Sequence, residues 1–203
     1  MHASVGLLPK RMVVIASLAL AVGAVLTVVS WGTDEQSATA KPSEGAVHGM
    51  SAMNKATTRV VATPALVSRL PGEMAARPGT VHRLLSGVGK SRFSLYAWPG
   101  ANGESVCYVS TGAGGGCFAE FLGPFNISIT DFDQLGSGAP LVVSGPVRDD
   151  VVGVEIIIEG QAYTALVRNN VAFFEAPDAR SQPTDVERVT VMLKDGGTED
   201  VRL

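Results

Sequence analysis

Residues 150–160 read DVVGVEIIIEG, and 35 positions later residues 185–195 read DVERVTVMLKD. The apolar positions coincide at 151/186, 154/189, 156/191, 157/192 and 158/193. Alternation of this kind is the period of a β-strand. Each copy then runs through glycine (Gly160 in the first, Gly196-Gly197 in the second) into a return segment. The reading is a duplicated hairpin, 150–167 and 185–203, with one added residue in the second turn that brings Val167 onto Leu203. Two hairpins that stack their apolar faces predict an antiparallel β-sandwich, with Val154, Ile156 and Ile158 facing Val189, Val191 and Leu193.

Outward from this repeat the β pattern continues. Short runs rich in β-branched and aromatic residues alternate with glycine, proline and Asn-Asn turns. They predict strands near 93–98, 105–110, 117–122, 125–130, 140–147, 154–159, 162–167, 171–174, 188–194 and 198–203. Ile156-Ile157-Ile158 is apolar on both faces and reads as a central strand. Before these, Pro64, Pro71 and Pro78 limit any helix in 59–77 to two or three turns, and 81–85 is a short element of undetermined type.

The N-terminal third differs in composition. Met12–Trp31 (MVVIASLALAVGAVLTVVSW) carries no charge and, as a helix, would span about 30 Å, the hydrocarbon thickness of a bilayer. Lys10 and Arg11 precede it and Asp34 and Glu35 follow. The expectation is a cytoplasmic tail (1–11), a transmembrane signal-anchor (12–31), a flexible linker (32–58) and an extracytoplasmic β-rich domain (59–203) on a single-pass cell-membrane protein. Cleavage after Ala40, behind Ala38-Thr39-Ala40, is the alternative. The linker assignment rests on Ser, Thr, Ala and Gly without hydrophobic period.

The chain of 203 residues has net charge −3 with its sixteen basic residues scattered, so no basic stripe speaks for nucleic acid. Cys107 and Cys117 flank a flexible tip. If the turn centres on Gly112 they face each other across adjacent strands, and a disulfide there would remove about 2.8 kcal/mol of unfolded-state entropy.

Several local patterns approach known chemistry and fall short of it. Ser86–Ser91 (SGVGKS) resembles the end of a phosphate-binding loop, but Leu84 stands where the first glycine belongs. Asp131–Gly136 starts like a calcium loop, yet Leu135 and Val142 occupy ligand positions. His82 is the lone histidine of the domain, and a hydrolase using it with a carboxylate is the enzymatic alternative. In the linker, His48, Met50 and Met53 form a soft donor set that suits weak copper(I) contact. No cofactor motif is found.

The leading expectation is therefore a non-enzymatic interaction or structural module with a protein or envelope partner. The candidate contact surface is built on the loops Pro99–Glu104 and Gly112–Gly116, with Tyr96, Trp98, Asn102 and Tyr108 near them.

Overall fold

The computed structural model describes residues 46–203 apart from 71, 113, 132–139 and 179. The expected tail, membrane segment, cleavage site, first part of the linker and most of the calcium-loop candidate lie outside these residues. Among the described residues no helix is long and apolar enough to cross a membrane.

The fold is mainly β, with three four-stranded antiparallel sheets. Sheet one holds β1 (His82–Val88), β2 (Phe93–Pro99), β3 (Val106–Ser110) and β4 (Gly114–Phe118) as a meander in that order. Sheet two joins β5 (Ser128–Thr130), β6 (Val142–Pro146), β9 (Leu166–Arg168) and β10 (Val171–Glu175) in the order β5-β6-β10-β9. Sheet three joins β7 (Val151–Ile158), β8 (Gln161–Thr164), β11 (Val186–Leu193) and β12 (Thr198–Val201) in the order β12-β11-β7-β8. The expected strand at 117–122 begins earlier, in the glycine run, and 162–167 is divided at Ala165 between sheets three and two.

Side-chain alternation sends the two faces of sheet two into different cores. Val142, Val171 and Phe173 pack with Leu84, Phe93 and Leu95 of sheet one. Val143, Ala172 and Phe174 pack with Val154, Ile156 and Val189 of sheet three. Sheet two is thus a middle layer, which explains why β6 is buried along its whole length. The far face of sheet one, with Trp98, Cys107 and Val109, is covered by Val67 of the four-residue helix α1 (Ala65–Ser68) and by Val81. That single turn fits the limit set by the prolines.

The duplicated hairpins exist, but they do not stack. β7 and β11 pair side by side within sheet three, with Ile156 opposite Val189, Glu155 opposite Thr190 and Val154 opposite Val191. Equivalent positions of the repeat, 155 and 190, face each other, so a local two-fold axis passes through that pair. The period fixed which side chains point inward: Val154, Ile156, Val189 and Val191 are all fully buried. It could not say whether the hairpins would share a sheet or face one another, and inward residues of sheet two provide the opposing face instead. The first hairpin closes through Glu159-Gly160, both at positive φ (48° and 74°), and β9–β10 closes through Asn169-Asn170 (49° and 58°). Positive φ at both positions is the signature of the turn whose twist matches a hairpin.

The linker expectation is corrected over residues 46–58. Ala46, Met50, Ala52 and Met53 are buried in the core between sheets one and two. Of two short 3-10 turns in the segment, Ser51–Asn54 carries Ala52 and Met53 directly behind Met50, and Ala56–Thr58 buries Thr58. Such turns need no 3.6-residue period, and their anchors are remote in sequence. Asp149 accepts the Ser51 amide at 2.9 Å, and Asn170 Oδ1 accepts the Ala52 amide at 2.9 Å.

Candidate functional site

β2 and β3 position the expected contact aromatics. Because sheet one is covered on both sides, β2 is apolar on both faces, and Trp98 is completely buried against Val67, Val81 and Cys107. Its indole Nε1 has no hydrogen-bond partner among the described residues. Tyr96 packs partly buried in the same cluster, and Tyr108 packs edge-on to Phe118 with ring centroids 6.0 Å apart. Burial pushes the Tyr108 phenol above its ordinary pKa. Asn102 is exposed, but its Oδ1 accepts from the Glu104 and Ser105 amides, each at 3.1 Å, and from Ser105 Oγ at 2.8 Å. The structure therefore does not bring the four residues together as an exposed patch: the rings belong to packing and Asn102 to its own turn.

Cys107 and Cys117 sit directly opposite in the β3–β4 ladder and are joined as a disulfide, as their spacing predicts. The bond fixes the edge strand β4, whose outer side is paired with no other strand among the described residues. Gly114 and Gly115 are exposed and Gly116 half-buried. Glycine at 115 answers to a close approach, since a Cβ there would overlap the Tyr108 carbonyl oxygen, whereas a Cβ at Gly116 meets open space. A strand edge with so little side-chain cover presents its backbone amides and carbonyls for pairing.

His82 is 3% exposed at the start of β1. Its Nδ1 lies 2.8 Å from Thr58 Oγ1, and Thr58 Oγ1 is also 2.7 Å from the Ala52 carbonyl. The hydroxyl has one proton; when it donates to that carbonyl, Nδ1–H of His82 donates to the hydroxyl oxygen. Desolvation, and then the positive charge of Arg59, hold the imidazole below its ordinary pKa. The ring is tied to a threonine on the packed 46–58 segment, and no carboxylate joins it among the described hydrogen bonds and ion pairs.

The copper candidates are separated by burial. Met50 and Met53 point into the core while His48 is exposed, because the two thioethers fill space beside Leu84, Phe93 and Phe173. In the SGVGKS segment the amides of Lys90 and Ser91 are taken by the carboxylate of Glu175, at 3.0 and 2.9 Å. Burial raises the Glu175 pKa, but those amide bonds and the Lys90 charge outweigh it and hold the carboxyl below its usual range. The donors a phosphate would use in that turn are occupied from within.

A grouping that local sequence did not signal lies near Asp149, where Lys55, Arg168 and Lys194 border one cleft. These residues come from segments up to 139 positions apart, so no spacing rule could have found them. No known protein family, curated protein or solved structure matches this chain.

Proposed function

We propose that the chain is a membrane-anchored extracytoplasmic β-domain that works without catalysis, engaging an extended strand of a protein partner along the edge of β4. The observation that carries this reading is the glycine-rich edge, unpaired on its outer side among the described residues and held in place by the Cys107–Cys117 disulfide. An edge of this kind recognises its partner through main-chain hydrogen bonds, with neighbouring side chains setting selectivity. The glycine tip was one of the two loops expected to carry contact, so the proposed surface keeps that loop and exchanges the aromatic side chains for backbone. The disulfide supports an oxidising compartment. The uncharged run Met12–Trp31 with Lys10 and Arg11 before it supports anchorage with the tail inside.

The edge is tested by Gly116→Lys, which places a charged side chain into open space beside the ladder. The intact protein, purified from its native membranes, is expected to bring down a partner that the variant loses while the unfolding temperature stays unchanged. Equal recovery of the same partner by both proteins refutes the edge. Anchorage is tested separately: alkaline carbonate should leave the protein in the membrane fraction, and release would overturn it.

A further inference from the structure

The cleft beside Asp149 is assembled by long-range hydrogen bonds. Both Asp149 carboxylate oxygens lie 2.9 Å from the Ser51 amide, and Oδ1 also accepts from Asn170 Nδ2 at 2.9 Å. Asn170 Nδ2 donates in addition to the Val147 carbonyl at 3.1 Å. On another side, the Lys194 amide donates to the Asp150 carbonyl at 2.8 Å. Four chain segments are thereby held around a cavity of about 210 Å³. This is smaller than the roughly 300 Å³ at which pockets for drug-sized ligands begin, and fits a compact group.

Its charge is opposite to that of the protein as a whole. Lys55, Arg148, Arg168 and Lys194 line it against one carboxylate, Asp149, in a chain of net charge −3. Arg148 is occupied by Asp150 at 2.9 Å and Glu199 at 3.7 Å. Lys55, Arg168 and Lys194 form no ion pair among the described residues, and all three are exposed. Asp149 already accepts from two amide groups. Three cations against that one carboxylate leave the small polar cavity net positive. Several separate cationic donors match a phosphate group, whose anionic oxygens can reach more than one of them, better than a single carboxylate.

We propose that this cleft binds a phosphate-class anion through Lys55, Arg168 and Lys194. The group can arrive as free phosphate or as an anionic lipid headgroup. The site is independent of the β4 edge and stands if that reading fails.

The experiment measures the unfolding temperature of the full-length chain in neutral detergent. Inorganic phosphate is titrated at ionic strength matched with chloride, and short-chain phosphatidylglycerol is compared with short-chain phosphatidylcholine. A concentration-dependent rise is expected with phosphate or phosphatidylglycerol and not with chloride or phosphatidylcholine. Each of Lys55→Gln, Arg168→Gln and Lys194→Gln should weaken the apparent affinity about fivefold. The triple variant should lose the rise while keeping its unfolding temperature in chloride, and Arg83→Gln, an exposed charge on β1, should leave it intact. A stronger response to phosphatidylglycerol assigns the lipid source, and a stronger response to inorganic phosphate the free anion. Absence of any rise, or a rise the triple variant retains, overturns the site.

Discussion

Replacing Met50 with alanine tests whether residues 46–58 are part of the folded domain. Met50 has no exposed surface and packs in the core between sheets one and two, beside Met53, Leu84 and Phe93. Shortening a buried methionine to alanine loses its transfer free energy and leaves a cavity, a combined cost of about 2–5 kcal/mol. For a domain of this size, each kcal/mol lowers the unfolding temperature by about 2–4 °C, so a drop of about 4–20 °C is expected. The matched control is His48→Ala, two residues away and exposed, which should stay within about 0.5 kcal/mol. Circular dichroism on heating the full-length protein would read both variants. If Met50→Ala unfolds with the wild type and with His48→Ala, the segment is a tether and its packing is not part of the fold.

Further outcomes follow from the cores and their partners. Ile156→Ala, fully buried at the centre of sheet three, should cost about 2–5 kcal/mol in denaturant unfolding, while Glu155→Ala on the opposite face should cost less than about 0.5. Replacing both Cys107 and Cys117 with serine should cost about 2–3 kcal/mol and preserve the far-ultraviolet spectrum, and loss of the β signature would show that the bond does more than close its loop. For His82 the folded-state pKa lies below that of the unfolded chain, so the unfolded state binds the proton first. Its contribution is complete above about pH 6.5 and is lost as the pH falls from there through the folded pKa. The stability difference between wild type and His82→Asn should therefore shrink on acidification across that window, and a difference that is constant or grows would refute the assignment.

Strand existence and facing were legible because alternation is local. The inward set Val154, Ile156, Val189 and Val191 and the opposition of Cys107 to Cys117 both follow from spacing alone. What alternation cannot encode is which surface covers a face. Trp98 and Tyr96 enter the expected contact surface only through their nearness to the loops, although Phe93, Leu95 and Ala97 on the other face of β2 already mark that strand as apolar on both. The same reasoning that made Ile156–Ile158 central applies to β6 and β10, whose strands serve two cores. The packing of 46–58 was hidden for a different reason. Its cohesion comes from Asp149 and Asn170, about a hundred residues downstream, and short 3-10 turns leave no periodic trace. The cationic cleft was invisible for the same cause: Lys55, Arg168 and Lys194 become neighbours only when the chain is folded.

The middle sheet has a consequence for how the domain fails. In β10, Val171 and Phe173 belong to one core while Ala172 and Phe174, their immediate chain neighbours, belong to the other. No cut through the backbone of that strand separates the two sets. Peeling away sheet one strips cover from residues whose neighbours hold sheet three, and the bent strand at Ala165, whose amide bonds the Val154 carbonyl at 2.9 Å, ties sheets two and three a second time. Heat, denaturant or a protease that opens either side is expected to meet a single cooperative unit, so that partial damage becomes complete unfolding rather than a persistent fragment.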